Sequence, residues 1–277
     1  MTRGSKIVSG RCEKGGMVIA SCGLTNTGCV RRLNEDRILV EESLSLYAVA
    51  DGMGGHQHGE VAAEMALGTL DSYIRSARDQ EEVTWPFGFD ATLSADENRL
   101  ATAIRLANRR VWERAEASLE HAGMGTTVAA VLVRGDRAAI ASVGDSRVYL
   151  FRDGRLELLT VDDTWVQAMV RQGALEADQA PGHPMRSVLT QAAGAQAAVW
   201  VHTREQELEP RDLLVISSDG LHAVLDEGTM RSILEAGEGV AGNGLEPVAR
   251  RLLRAVLDRG APDNVSCILM RYGAAER

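Results

Sequence analysis

The sequence predicts an α+β fold, an α-β-β-α sandwich of two central antiparallel sheets with helices on their outer faces. Three observations lead there. Short apolar segments bounded by Gly, Asp and Asn occupy both halves of the 277-residue chain. Gly135-Asp136 and Asp153-Gly154 are two-residue hairpin signals, which join antiparallel neighbours. The helical stretches come as a pair and then singly, without the strand–helix alternation that parallel βαβ units require.

Each element follows in chain order. Residues 1–16 read as a flexible N-terminal tail, and residues 17–273 as a single domain. Met17 to Leu24, Ile38 to Val40 and Leu46 to Ala50 read as strands. From Glu60 to Ala77 the pattern turns helical, with Val61, Met65, Leu70 and Tyr73 on one stripe. A second helix is expected from Ala95 to His121, opened by a Ser94/Glu97 capping box and carrying Leu100, Ile104, Val111 and Leu119. Between them, Trp85, Phe87 and Phe89 read as a loop plugged onto the core, with a partner-docking patch as the alternative. Thr126 to Thr160 is a run of strands. Asp163 is placed to cap a short helix that Gly173 ends. Residues 174–195 are irregular. Strands return at Val199–Arg204 and Leu213–Ser217, a helix runs from Gly244 to Leu257, and Val265 to Met270 is the last strand.

Composition narrows the function. The net charge of −9 opposes nucleic-acid phosphate, and no basic run offsets it. No apolar run approaches a membrane span, and Met1 to Gly10 lacks the apolar middle of a signal peptide. The four cysteines, Cys12, Cys22, Cys29 and Cys267, match neither a zinc site nor a dense disulfide framework. A cytoplasmic enzyme with no nucleic-acid or membrane partner is expected. Cys22 and Cys267, in apolar runs, are expected to be buried.

The informative pattern is where the acids fall. Leu46 to Ala50 ends in Asp51-Gly52, and Leu213 to Ile216 ends, after two serines, in Asp219-Gly220. Ile140 to Gly144 ends in Asp145. Asp36 precedes Ile38 to Val40, and Asp263-Asn264 precedes Val265 to Ile268. A carboxylate at the edge of an apolar core is costly unless something compensates it, and a hard divalent cation with oxygen ligands does so. Singly, each has a plainer reading: Asp-Gly after a strand makes a turn, Asp145 could pair with Arg147, and Asp263 could cap a turn. Gly52-Met53-Gly54-Gly55-His56 could bring backbone close to a metal or phosphate, but lacks the Gly-Lys-Ser/Thr of a nucleotide phosphate loop. His56 and His58 lack the close-spaced partners of a zinc site. Arg31 could clamp a phosphate through its planar guanidinium or be only solvated charge.

Together these residues resemble the PPM family, the type-2C metal-dependent serine/threonine protein phosphatases, in its bacterial form. The resemblance spans about residues 18–272 and rests on several pieces in family order. They are Gly28 to Asp36, Val49 to His56, Gly125-Thr126-Thr127, Gly144-Asp145-Ser146-Arg147, Asp162-Asp163-Thr164, His183 to Ser187, Ser217 to Leu221, and Asp263-Asn264.

The resemblance implies a pair of antiparallel sheets flanked by helices and a centre of two Mn²⁺ or Mg²⁺ ions. Asp51 would bridge them, the Gly52 carbonyl would ligate one, and Asp219 and Asp263 would hold one. Asp36 would hold an ion or orient water, and Asp145 with Asp219 could hold a third. Arg31 would grip the substrate phosphate, which a metal-activated water attacks. Residues 162–190 would be a flap beside the site. The implied partners are phosphorylated proteins and a cognate serine/threonine kinase, with the enzyme a monomer. The alternative is an inactive relative that binds phosphoproteins as a scaffold. One departure stands out: where some eukaryotic relatives carry a histidine after the bridging Asp-Gly, this chain has Met53, so the general acid is unassigned.

Overall fold

A computed structural model describes residues 5–14, 17–54, 58–79, 84–238 and 244–274. Two six-stranded sheets stack face to face, a small number of helices covering each outer face. The first sheet is formed by β1 (Lys6–Lys14), β2 (Met17–Asn26), β8 (Arg147–Arg152), β9 (Arg155–Leu158), β11 (Leu213–Ser217) and β12 (Val265–Ala274), in the order β1-β2-β12-β11-β8-β9. The second holds β3 (Asp36–Glu41), β4 (Leu46–Met53), β6 (Val128–Arg134), β7 (Arg137–Val143) and β10 (His202–Glu207), in the order β10-β7-β6-β4-β3, with the short β5 (Gly125–Thr126) on the end of β4. All the named strand pairs are antiparallel.

Three apolar layers result. Between the sheets lie Tyr47, Val49, Ile140, Val148, Ile216 and Ile268. Helices α1 (Gly59–Asp79) and α2 (Ala95–Glu116) bury Leu70, Leu100 and Ile104 against the second sheet. Helices α5 (Glu227–Glu238) and α6 (Glu246–Leu257) bury Leu234, Leu252 and Val256 against the first. Each strand therefore alternates between an inner layer and an outer one, as the pleat dictates. The capping box at Ser94 forms as the sequence implies, each partner satisfying the other's backbone N–H. Short α3 (Trp165–Arg171) and α4 (Asp219–His222) complete the helices.

The structure corrects several expectations. Residues 1–16 are not all tail: Lys6–Lys14 pairs with β2 along its length, and Ile7 packs on the outer layer of the first sheet. The register runs from Lys6 opposite Thr25 to Lys14 opposite Met17. The second helix ends at Glu116, and Leu119 sits on a separate 3-10 turn, 98% exposed rather than in the core. Phe87 and Phe89 do not plug the core; both are exposed, and Trp85 meets Phe89 edge-on instead. Thr164, not Asp163, caps α3 by accepting from the Gln167 N–H, because both Asp163 oxygens are engaged elsewhere. The strand expected at Val199–Arg204 starts at His202, and α5 lies where no helix was read. Cys22 and Cys267 are buried as expected, and all four cysteines are free. Among the described residues, no helix is long and apolar enough to cross a membrane.

Candidate active site

The inner layer ends in polar groups at one mouth of the sandwich. On β4 the inward series Tyr47, Val49 continues to Asp51, and on β3 the series Val40, Ile38 continues to Asp36. The β3–β4 pairing sets Asp36 directly opposite Asp51, so both carboxylates leave one face of the sheet. The facing sheet does the same. Leu214 and Ile216 lead to Ser218, and Met270 and Ile268 lead to Ser266. Ser218 Oγ reaches across the gap and donates to Asp36 Oδ2 at 2.8 Å, while accepting from the Ser266 N–H at 3.1 Å. Asp219 follows at the start of α4, and Asp263 lies just before β12.

These carboxylates repel one another in a desolvated pocket. Asp36 is 1% exposed, and burial, then the charges of Asp219 and Asp263, push it up to about 7 against the hydrogen bonds of Ser266 and Ser218. Asp51 is raised well above the carboxylate range by burial and by Asp36, Asp219, Asp145 and Asp263 in turn. Asp219 is raised by burial and by Asp263, with its contact to Asp51 opposing. Asp145 is pushed up to about 8 by burial, Asp219 and Asp162, with Arg147 opposing. Asp36 Oδ1 and Asp219 Oδ1 are buried without a hydrogen-bond partner. Such orphaned acceptors are costly in a protein interior, and a hard cation is the partner that suits them.

Among the described residues, no three carboxylate, histidine or cysteine side chains already stand as a complete ligand set around one point. The donor set nevertheless fits Mg²⁺ or Mn²⁺, which take few protein carboxylates and fill the rest of the shell with water. Arg31, half exposed, donates to Asp263 Oδ2 at 2.8 Å, a bond that raises its own pKa further.

The backbone around the mouth is fixed by amides and hydroxyls. Asn264 accepts from the Glu35 N–H and donates to the Thr27 and Leu33 carbonyls, tying the Arg31 loop to the start of β12. Asn34 accepts from the Asp36 N–H. Thr127 Oγ1 accepts from the Asp51 N–H and shares a 2.6 Å hydrogen bond with Ser146 Oγ. A Cβ on Gly220 would lie 1.8 Å from the Asn264 carbonyl, so only glycine lets α4 approach β12 this closely. A cleft of about 480 Å³ opens beside Asp145 and Asp219, walled on its other side by Thr164, Arg186 and Glu227.

The protein phosphatase 2C family model matches residues 31–269. The chain belongs to the protein phosphatase 2C family. This phosphatase 2C chain is 34% identical over 254 residues to the serine/threonine protein phosphatase PstP of Mycobacterium tuberculosis, covering 91% of this chain and 45% of that protein. The chain thus spans about half the length of the mycobacterial relative. It is 32% identical to the serine/threonine phosphatase stp of Listeria welshimeri, covering 91% of this chain and 96% of that one. A crystal structure of the PstP catalytic domain in complex with two manganese ions superposes with a TM-score of 0.76 at 29% identity, covering 93% of this chain and 99% of that one. The family is that of metal-dependent serine/threonine protein phosphatases.

Within the phosphatase 2C fold, the structure gathers Asp36, Asp51, Asp145, Asp219 and Asp263 at one mouth, with Arg31 on Asp263. Gly52, buried, lies next in line on β4, packed backbone to backbone against Gly59. His56 lies outside the described residues; His58 packs its ring on His121, with centroids 4.9 Å apart. Cys29 is exposed, its N–H bonded to the Ala261 carbonyl. Sequence reasoning gave no role to Ser218, Ser266, Asn34 or Asn264. Extending the inward alternation of β11 and β12 past their apolar ends would have marked the two serines.

Proposed function

We propose that this protein removes phosphate from phosphoserine and phosphothreonine in proteins, using two Mn²⁺ or Mg²⁺ ions. The observation that carries the reading is the set of desolvated carboxylates to which no arginine among the described residues donates a hydrogen bond, Asp36, Asp51 and Asp219, with orphaned oxygens on two of them. Asp51, the Gly52 carbonyl, Asp219 and Asp263 would hold the ions, with Asp36 as ligand or water holder. Asp145 with Asp219 would hold a third. When bound, the ions supply charge that polarises the phosphate and acidifies water.

The chain's own residues do the remainder. Arg31 has a long, half-exposed side chain with one carboxylate partner, so it can turn its fork toward phosphate oxygens and oppose their growing charge. Asp36 is held at Oδ2 by Ser218, which leaves Oδ1 to orient water or take its proton. The cleft beside Asp145 gives room for the chain around the phosphorylated residue. Residues 17–273, with β1 added to their sheet, would act as one domain, as a monomer, with 162–190 as its flap. The substrates would be products of a cognate serine/threonine kinase in the cytoplasm, a compartment that suits four free cysteines.

Turnover of a phosphothreonine peptide with Mn²⁺ tests this. The expected result is hydrolysis that EDTA abolishes, that added Mn²⁺ restores, and that Asp219→Ala lowers by more than about a hundredfold. Activity surviving both EDTA and the substitution would overturn it. Binding of phosphopeptides without any turnover would instead favour the scaffold alternative.

A further inference from the structure

Asp163 takes no part in the chemistry above, yet four hydrogen bonds meet at it. Its N–H donates to the Gly144 carbonyl at 2.9 Å, and the Gly144 N–H donates back to Asp163 Oδ2 at 3.0 Å. Its carbonyl accepts from the Thr190 N–H at 2.8 Å. Its second oxygen, Oδ1, lies 2.8 Å from His202 Nε2. Asp163 is 6% exposed, and the His202 side chain 21%.

The position of these bonds gives them meaning. Asp163 and Thr190 are the two ends of the segment that rises beside the cleft, so one residue closes the base of that segment. The neighbouring Trp165 N–H to Val188 carbonyl bond and the Thr164–Leu189 bridge continue the closure. Farther out the segment is held by its own contacts, including the stacking of Trp165 on His183, 5.1 Å between centroids. Gly144 immediately precedes Asp145 and has a φ of +92°, with Thr127 where a Cβ would go. Its conformation is therefore specified from both sides, by Thr127 and by Asp163. His202 comes from β10, the edge strand paired with β7, opposite Ser142 and two residues before Gly144, and fixes the carboxylate that holds the Gly144 N–H.

We propose that His202 is a positioning residue: through Asp163 it sets both the base of the flap and the turn that presents Asp145. It touches neither substrate nor any proposed metal ligand. This rests on the reading of residues 162–190 as the substrate-side flap, and it assigns that flap an anchor on the edge strand β10. A carboxylate with one free oxygen turns about χ2; a carboxylate held at both oxygens does not. A hydrogen bond to a charged group of this kind changes local opening by about tenfold or more.

The test uses the full chain without metal, so it reads position rather than catalysis. Amide hydrogen exchange is followed at Gly144, Asp163, Trp165 and Thr190, together with tryptic cleavage after exposed Arg186. In His202→Ala these four amides are expected to exchange about tenfold faster and Arg186 to be cut faster, with the melting temperature recording any global loss. His202→Gln, whose amide nitrogen reaches where Nε2 lies, is expected to restore wild-type exchange. With Mn²⁺ present, His202→Ala raises KM for a phosphothreonine peptide about tenfold and leaves kcat on p-nitrophenyl phosphate within about twofold. Wild-type exchange at the four amides in His202→Ala overturns the proposal. So does a Gln variant that exchanges as fast as the Ala variant, or equal losses on peptide and aryl phosphate. A wild-type protein that hydrolyses neither substrate would sink the phosphatase reading alone, because the exchange data stand without it.

Discussion

Strand β11 carries an aspartate beyond each end, and the two are treated in opposite ways. Asp212, 2% exposed, is held by Arg152 through two hydrogen bonds of 2.7 and 2.5 Å, and it also accepts from the Glu209 N–H. Asp219, at the other end, has an oxygen with no partner and other carboxylates as neighbours. The same five-residue apolar strand thus ends once in a neutralised carboxylate and once in a repelling cluster. Arg147 on Asp162 repeats the first solution within the same cleft that Asp219 lines. Asp212 and Asp162 are each held by an arginine. Among the described residues, Asp36 and Asp219 have no hydrogen bond from an arginine and each keeps an orphaned oxygen, the opening a hard cation suits.

Substituting the two ends tests that contrast most strongly. Asp219→Asn is expected to lower Mn²⁺-dependent turnover by more than about a hundredfold while leaving the metal-free melting temperature unchanged or raised. Asp212→Asn should do the reverse, costing about 2–3 kcal/mol in denaturant unfolding and keeping turnover within about threefold. Loss of stability in the first variant and loss of activity in the second would break the comparison.

A pH series sharpens it next. Asp36 and Asp145 titrate near 7 and 8 in the folded metal-free protein, against about 3.9 unfolded. The folded state then binds more protons than the unfolded state between those values, so its stability falls as pH rises from about 4 to about 8. Melting of the EDTA-treated protein should drop through that range, and the upward shift on adding Mn²⁺ should grow, because fewer protons compete for the ligands. A flat profile would mean the cluster is already compensated. Smallest is Ser218→Ala, which removes the donor on Asp36 Oδ2: about 1 kcal/mol of stability, and about a tenfold loss of turnover whose acid limb moves to higher pH.

Much of this was legible in the sequence because it depends on nearest neighbours along the chain. Asp51 and Asp219 announce themselves as charges ending apolar runs, and the Ser94/Glu97 box spans three residues. The Gly and Asp of the tight turns are equally local; Asp153 and Gly154 both adopt positive φ. What stayed hidden depends on contacts distant in sequence. Strand β1 is polar on much of its length and becomes a strand only by pairing with β2. Asp163 looks like a helix cap until Gly144 and His202 claim its oxygens. Aromatic content misled at Phe87 and Phe89, because hydrophobicity alone does not place a residue inside. Convergence of the five aspartates needed either the family resemblance or the coordinates, since it is a property of which strands face each other.

The pairing of Asp36 with Asp51 also has a consequence for assembly. Their hairpin is joined at one end by the short link between Glu41 and Leu46 and carries two like charges at the other. It should zip from the link outward and stall at the last rung, where repulsion is greatest. A cation held by these carboxylates would relieve that repulsion, so metal uptake would couple to the final ordering of this corner. Early protection of the Leu39 and Ala48 amides, with late, ion-triggered protection of the Asp36 amide on Asn34 and the Asp51 amide on Thr127, is the signature to seek by pulse labelling.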